Sequence, residues 1–163
     1  MTATPSATAT QPRQLGVLVA LLLLCVGGGA LIGVAFAGQA ATYAQFDLPA
    51  WAPPSWLFGP VWTLLYALMA VSAWLVWRAP SRYRRRTLAA FGVQLALNFA
   101  WTPAFFGADS PSLGLVTIVA VLLTAGWWSL EAWRVRRLAG GLQAPYLAWV
   151  SFATVLNAAI ALA

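Results

Sequence analysis

The chain contains no histidine, no lysine, a single cysteine and only three acidic residues among its 163 residues. Without histidine it cannot hold a Ser-His-Asp hydrolytic triad, and without a second cysteine Cys25 cannot form an internal disulfide. Only 7% of the residues are charged and 62% are apolar, whereas soluble domains carry about 25% charged residues. The composition therefore excludes an ordinary soluble domain.

Long apolar runs take the place of polar surface. A helix needs about 20 consecutive apolar residues to cross a hydrocarbon core of about 30 Å. Five runs reach that length, at approximately residues 15–36, 56–77, 88–106, 113–133 and 142–163. They predict an all-α integral membrane protein, a bundle of five transmembrane helices in one domain. Residues 1–14, rich in Thr, Ala, Ser and Pro, are predicted to form a disordered tail.

The basic residues indicate how the bundle is oriented. All nine are arginine, and they precede the first run or follow the second and fourth runs. The loops after the first and third runs contain only Asp47 and Asp109 as charged residues. Because basic residues in short loops stay on the cytoplasmic side, the pattern predicts an N-in, C-out topology. The arginines are thus a topology signal, and the expected partner is the lipid bilayer, not nucleic acid.

The loop between the first two runs is long and apolar. It contains prolines at positions 49, 53 and 54 and several aromatic residues. Proline fixes φ and pushes its predecessor toward extended conformations, so residues 51–56 (WAPPSW) are expected to be stiff. Since long ordered loops in compact folds are often functional, this loop is predicted to be a lid braced by Trp51, Pro53, Pro54 and Trp56. An aromatic collar at the membrane interface is the alternative.

Small residues in the first run favour close helix packing. Helices in lipid approach each other through such residues, and Gly27, Gly28, Gly29 and Gly33 lie in one run, with the last two in small-xxx-small spacing. The pattern is compatible with packing inside the bundle and with a homodimer.

Polar residues inside the apolar runs indicate a binding site, because each costs free energy in hydrocarbon. In the third run Gln94, Asn98 and Trp101 recur at spacings of four and three, which places them on one helical face. The second and fifth runs have comparable mixed faces, containing Trp62, Tyr66, Trp149, Ala153 and Asn157. Three such faces predict a largely apolar cavity with a few polar groups, as small-molecule sites have.

The ten tryptophans divide by position. Trp51 and Trp56 belong to the first loop, whereas Trp62, Trp101 and Trp149 lie inside runs and are predicted to mark the site. The others lie near arginines, where an aromatic belt accounts for them: Trp74, Trp77, Trp127, Trp128 and Trp133.

Several motifs, in order, resemble the translocator protein or tryptophan-rich sensory protein family. They are residues 51–56 (WAPPSW), 60–66 (PVWTLLY), 94–103 (QLALNFAWTP), 145–149 (PYLAW) and 153–157 (ATVLN). The resemblance implies a five-helix bundle, commonly dimeric, in a bacterial cytoplasmic membrane, binding porphyrins and other hydrophobic ligands beneath the first loop. By motif position, the ligand contacts implied are Tyr43, Trp62, Asn98, Trp101, Trp149 and Ala153.

Depth along the helices follows from the rise of 1.5 Å per residue. Trp62 is expected in the outer half of the membrane, Asn98 and Ala153 near the middle, and Trp149 toward the inner half. A site that uses all of them would be elongated, about 10–15 Å long.

Three functions remain open: a receptor or sensor regulating tetrapyrrole level or stress signalling, a transporter of porphyrin or other amphipathic ligands, and a light-dependent porphyrin-degrading enzyme. For the porphyrin-degrading enzyme, the resemblance implies that Trp62 and Trp149 take part in the breakdown. Glu131 lies near the end of its run, so no mid-span carboxylate suggests a proton relay. Porphyrin, as protoporphyrin IX or haem, is expected as a ligand and not as an obligatory cofactor. No metal site is predicted, since Cys25 is the sole strong thiolate candidate.

Overall fold

A computed structural model of the chain describes residues 11–40, 43 and 45–162. All regular elements within these residues are helical, and five helices are long and apolar enough to cross a membrane. They are α1 (Gln11–Ala35), α2 (Ser55–Trp77), α3 (Arg84–Gly107), α4 (Pro111–Val135) and α5 (Arg137–Ala161). The predicted five-helix bundle is confirmed, and its orientation in the membrane stays a prediction.

The two ends of the bundle differ in charge. The basic end carries the arginines between residues 78 and 86 and between residues 134 and 137, and the opposite, lid end carries the loop from Tyr43 to Pro54. The chain turns between α3 and α4 at Asp109, whose φ of 46° is left-handed. Ser110 then caps α4 by accepting the Leu113 N–H at 3.2 Å.

Helix α1 begins earlier than its apolar run. Residues 11–14, predicted as part of the disordered tail, instead form its first turn, and residues 1–10 lie outside the described residues. Contacts with α2 account for the difference, because the Trp74 indole donates to the Gln14 carbonyl at 3.0 Å. The guanidinium of Arg13 also lies 5.9 Å from the ring centroid of Trp77. Sequence polarity alone does not reveal these contacts.

Two helices contain a π-helical turn, at Leu23–Gly27 in α1 and Pro103–Gly107 in α3. The second begins at Pro103, which has no N–H to donate to an ordinary helical hydrogen bond. Helix α5 has a break as well, with separate helical segments Arg137–Gly141 and Ala144–Ala161.

Trp128 belongs to the core of the bundle. It is fully buried, and its ring centroid lies 5.2 Å from that of Phe91 in α3. The aromatic-belt prediction is therefore wrong for Trp128, which faces the neighbouring helices. Trp127 and Trp133 are exposed, as a belt requires.

The α1 glycines have different surroundings. A Cβ on Gly28 would lie 2.8 Å from the Phe99 ring, and a Cβ on Gly29 would overlap the Tyr66 ring. A Cβ on Gly33 would meet no heavy atom within 4 Å. Gly28 and Gly29 thus allow close packing inside the bundle, while the homodimer stays a prediction.

Gly29→Ala is expected to lower the free energy of unfolding by about 1–3 kcal/mol, the usual cost of overpacking a core. The rigid Tyr66 ring must move, because the added methyl group overlaps it. Gly33→Ala is the matched control on the same helix, and it is expected to be neutral or stabilising since alanine favours helix. Thermal unfolding in detergent measures both, and equal melting temperatures would contradict the expected difference.

Candidate functional site

A cavity of about 360 Å³ lies at the lid end of the bundle. Side chains of α1, α2, α3 and α5 surround it, and Tyr43 from the loop completes the lining. Among the described residues that line it, none is charged. The volume falls within the range of about 300–1,000 Å³ typical of ligand pockets, which are largely apolar with a few polar groups.

The structure brings together five of the six predicted ligand contacts. The lining contains Tyr43, Trp62, Asn98, Trp101 and Ala153. They come from the loop and three different helices, so only the fold makes them neighbours. Their role in ligand binding stays a prediction.

Trp149 lies outside the cavity lining and packs against Phe58. Its ring centroid is 5.8 Å from that of Phe58 and 5.5 Å from that of Phe152. Phe58 precedes Trp62 by one turn of α2, and Trp62 is opposite Tyr146 of α5 at 6.4 Å. Trp149 is therefore nearer the lid end than Trp62, and not in the half farther from the lid as expected.

A shift of α5 along the bundle, relative to α2, explains the position of Trp149. The last turns of α5 extend past the start of α2 and pack against the loop, where Leu156 and Ile160 join a cluster with Tyr43 and Phe105. Helix α5 is thus shifted toward the lid end relative to α2. Counting residues from the start of each apolar run misses such a shift.

The predicted lid divides into two parts. Tyr43 is buried against Phe58, with ring centroids 5.5 Å apart, and it lines the cavity. The predicted lid residues are placed outside the cavity lining: Trp51, Pro53, Pro54 and Trp56. The two tryptophans are 49% and 70% exposed, which matches the aromatic-collar alternative. The loop residue in the lining is therefore Tyr43, and from the WAPPSW segment Ser55, the first residue of α2, also lines the cavity.

A chain of hydrogen bonds crosses the bundle next to the cavity. The Gln94 amide donates to the Tyr146 hydroxyl, which donates to Oδ1 of Asn98 at 3.2 Å. The Asn98 Nδ2 then donates to the Tyr66 hydroxyl oxygen at 2.9 Å. Sequence reasoning found the two amides but did not identify the tyrosines as their partners. The sequence did offer a signal for one of them, because Tyr66 follows Trp62 by four residues and therefore lies on the same face of α2.

A second polar contact fixes the opposite wall. The Trp101 indole donates to Oδ1 of Asn157 at 3.1 Å, and the Asn157 amide donates to the Pro111 carbonyl at 2.8 Å. Because its N–H is already used, Trp101 offers a ligand its ring and not a donor. The ring also packs on Phe105, with centroids 5.3 Å apart.

Tyr43 lines the cavity, but its hydroxyl oxygen is closed off from water. Its hydroxyl is buried and has no hydrogen-bond partner among the described residues. Burial raises the pKa of Tyr43, so the phenol keeps its proton at neutral pH and stays a donor.

Helix α1 contributes a wall that sequence reasoning did not assign to the site. Val26, Gly29, Ile32, Gly33 and Phe36 line the cavity. None of them has a polar side chain, so no sequence signal distinguished this face from one that packs against another helix.

The cavity opens on the side of the bundle, between α1 and α2. Gly33 of α1 and Gly59 of α2 both line the cavity and are exposed. A Cβ added to either glycine would meet no heavy atom within 4 Å. Contacts between α1 and α2 are concentrated nearer the basic end, which leaves the two helices apart at the opening.

Comparison with known proteins identifies the family. A sequence profile of the TspO/MBR family matches residues 20–163. The chain is 40% identical to human Translocator protein over 118 residues, covering 71% of this chain and 70% of that protein. It is 38% identical over 138 residues to Tryptophan-rich protein TspO of Archaeoglobus fulgidus, covering 80% and 90% of the two chains. The protein of the same name from Chlorobaculum tepidum is 38% identical over 145 residues, covering 83% and 90%.

The relative from Chlorobaculum tepidum is consistent with the predicted bacterial membrane. The matched residues include all of α2 to α5 and more than half of α1. The chain therefore belongs to the TspO/MBR family of membrane proteins.

Proposed function

We propose that the protein is a membrane receptor or sensor that binds porphyrins and other hydrophobic small ligands in the cavity at the lid end. Binding would regulate tetrapyrrole level or stress signalling. Membership of the TspO/MBR family is consistent with a translocator or sensor role. The observation that carries the proposal is the cavity itself, which is lined by aromatic rings and a few hydrogen-bonding groups.

The chemistry of the lining supports a flat aromatic ligand. Trp62, Trp101 and Phe105 offer ring faces and edges at the cavity surface, and such rings attract another aromatic ring in stacked or edge-to-face geometry. A ligand that covers these rings also removes their apolar surface from contact with water or lipid.

The degrading-enzyme alternative depends on Trp62 and Trp149 acting on one ligand. Of these two residues only Trp62 lines the cavity, and Trp149 contacts the lining residue Phe58 from outside the lining. This arrangement supports binding over degradation through that pair. The transporter alternative is tested separately, by following porphyrin flux into sealed vesicles that contain the protein.

Trp62→Phe is expected to weaken protoporphyrin IX binding about 3- to 10-fold, because a smaller ring offers less stacking area. Quenching of tryptophan fluorescence during a titration of detergent-solubilised protein measures the affinity. Trp149→Phe is expected to change the affinity less, since Trp149 is outside the cavity lining.

Trp133→Phe is the control, because Trp133 is 52% exposed and outside the lining. If Trp62→Phe leaves the affinity at the control value, porphyrin does not bind against Trp62. If the unmodified protein shows no saturable quenching, the proposed function is wrong.

A further inference from the structure

We infer that the basic end of the bundle binds the phosphate of an anionic phospholipid, at a site where Arg13, Arg78 and Arg84 surround the last turn of α2. The lipid belongs to the membrane leaflet at that end, and phosphatidylglycerol is a simple member of its class. The site lies at the end opposite the cavity, so it goes beyond the proposed function and does not depend on it.

The basic end carries positive charge that the chain itself does not neutralise. The acidic residues of the sequence are Asp47, Asp109 and Glu131. The first two lie at the lid end, and Glu131 already accepts from Arg86 and Arg134. Two of the nine arginines are thus paired, which leaves seven without a carboxylate partner among the described residues. The first ten residues of the chain contain no acidic residue either.

Three of these seven arginines meet at the last turn of α2. The guanidinium carbon of Arg78 lies 4.6 Å from the ring centroid of Trp74, and that of Arg13 lies 5.9 Å from the ring centroid of Trp77. Nη1 of Arg84 lies 3.5 Å from the Trp77 carbonyl oxygen. Since Arg13 belongs to α1 and Arg84 to α3, the end of α2 brings together cations that are distant in sequence.

The aromatic contacts position the arginines without using their hydrogen-bond donors. A guanidinium has five N–H donors, whereas attraction to a ring face depends on its charge. Arg13 and Arg78 therefore keep donors for a phosphate, which arginine binds in bidentate geometry. All three arginines of the site are exposed, so a lipid headgroup can reach them.

The depth of the site in the membrane identifies the source of the phosphate. Helix α2 is long and apolar enough to cross a membrane, and it ends at Trp77. Indole rings at the ends of membrane spans lie at the level of the lipid headgroups, which is also the level of the lipid phosphates. Each arginine near an anionic lipid surface contributes about a five-fold factor in affinity. A free phosphate ion has no acyl chains to hold it at this depth.

Thermal unfolding in a neutral detergent, with increasing amounts of added lipid, measures the binding. A ligand that binds only the folded state raises the melting temperature increasingly with its concentration. Phosphatidylglycerol is expected to do so at a concentration about ten-fold or more below that of phosphatidylcholine with the same acyl chains. The reason is that the choline cation of phosphatidylcholine compensates its phosphate.

Two matched triple variants locate the site. The site variant combines Arg13→Gln, Arg78→Gln and Arg84→Gln, and it is expected to lose the preference for phosphatidylglycerol. The control variant combines Arg85→Gln, Arg136→Gln and Arg137→Gln, which removes the same charge from exposed positions at the same end. These three arginines do not stack on Trp74 or Trp77, and salt screens exposed charges over about 8 Å. The control variant is therefore expected to keep the preference within about two-fold.

A single change repeats the test with less disturbance of the protein. Arg78→Gln alone is expected to lower the preference for phosphatidylglycerol about three- to five-fold, the contribution of one arginine. The melting temperature without lipid is expected to be similar for every variant, since all the replaced side chains are exposed.

The outcomes separate the site from its alternatives. Equal effects of the two lipids on the unmodified protein overturn the inference. Equal losses of preference in the two triple variants overturn the location, because the whole basic end then attracts the lipid. Inorganic phosphate and poly-glutamate are the probes for a free anion and for an acidic protein segment. If either raises the melting temperature as much as phosphatidylglycerol does, and the site variant loses that effect, a lipid is not the occupant.

Discussion

Replacing Trp128 with alanine is expected to lower the free energy of unfolding by about 3–5 kcal/mol, the range for large-to-small changes in a packed core. Trp128 is fully buried and lies 5.2 Å, centroid to centroid, from Phe91 of the neighbouring helix. Its removal leaves a cavity where α3 and α4 meet. Thermal or denaturant unfolding in detergent micelles measures the loss.

The adjacent residue is a matched control. Trp127 has the same side chain one position earlier, but it is 40% exposed. Trp127→Ala is therefore expected to cost much less than Trp128→Ala. Trp128→Phe is expected to be mild as well, because it keeps a ring against Phe91 and removes an N–H without a partner among the described residues. Equal losses for the two alanine variants would contradict the difference in burial between the two rings.

Removing both arginine partners of Glu131 is expected to have the second largest effect on the free energy of unfolding. The Glu131 side chain is 3% exposed, and its Oε1 accepts from Arg86 at 3.1 Å and from Arg134 at 2.7 Å. The combined change Arg86→Ala and Arg134→Ala leaves a buried carboxylate without a cation. Breaking a buried pair in this way costs about 3–5 kcal/mol of unfolding free energy.

Glu131→Gln distinguishes two effects of the arginine changes: the cost of burying an unpaired charge and the loss of the arginine contacts themselves. The arginine side chains are 63% and 65% exposed, so water solvates them when the carboxylate is absent. The single change is expected to be mild, and adding it to the double arginine variant is expected to restore most of the lost stability. Melting temperatures of the three variants provide the measurement, and a triple variant no more stable than the double one would contradict this account.

The fold could be predicted largely from length and hydropathy. A membrane span must be long and apolar, and both properties are visible in each run. The start of α1 was missed because Gln11, Pro12 and Arg13 look like tail residues, and they become helical through contacts with α2. Positions near arginines also do not reveal which way a side chain faces, so Trp127 and Trp128 looked equivalent although only one is buried.

The candidate site was predicted where polar residues repeat on one helical face, as Asn98 and Trp101 do. Helical periodicity finds such faces, but it does not show how far one helix is shifted along another. That shift explains why Trp149 packs against Phe58 and is outside the cavity lining. The wall from α1 was missed for a different reason, since residues such as Ile32 and Phe36 look alike whether they face a cavity or lipid.

The opening between α1 and α2 has a consequence for how affinity is measured. Gly33 and Gly59, which border it, are exposed within helices long and apolar enough to span a membrane. A ligand approaching from that side comes from the pool dissolved in the bilayer, so the relevant concentration is ligand per lipid. Dissociation constants expressed per volume of water would then change with the amount of lipid or detergent in the sample, although the binding site itself is unchanged.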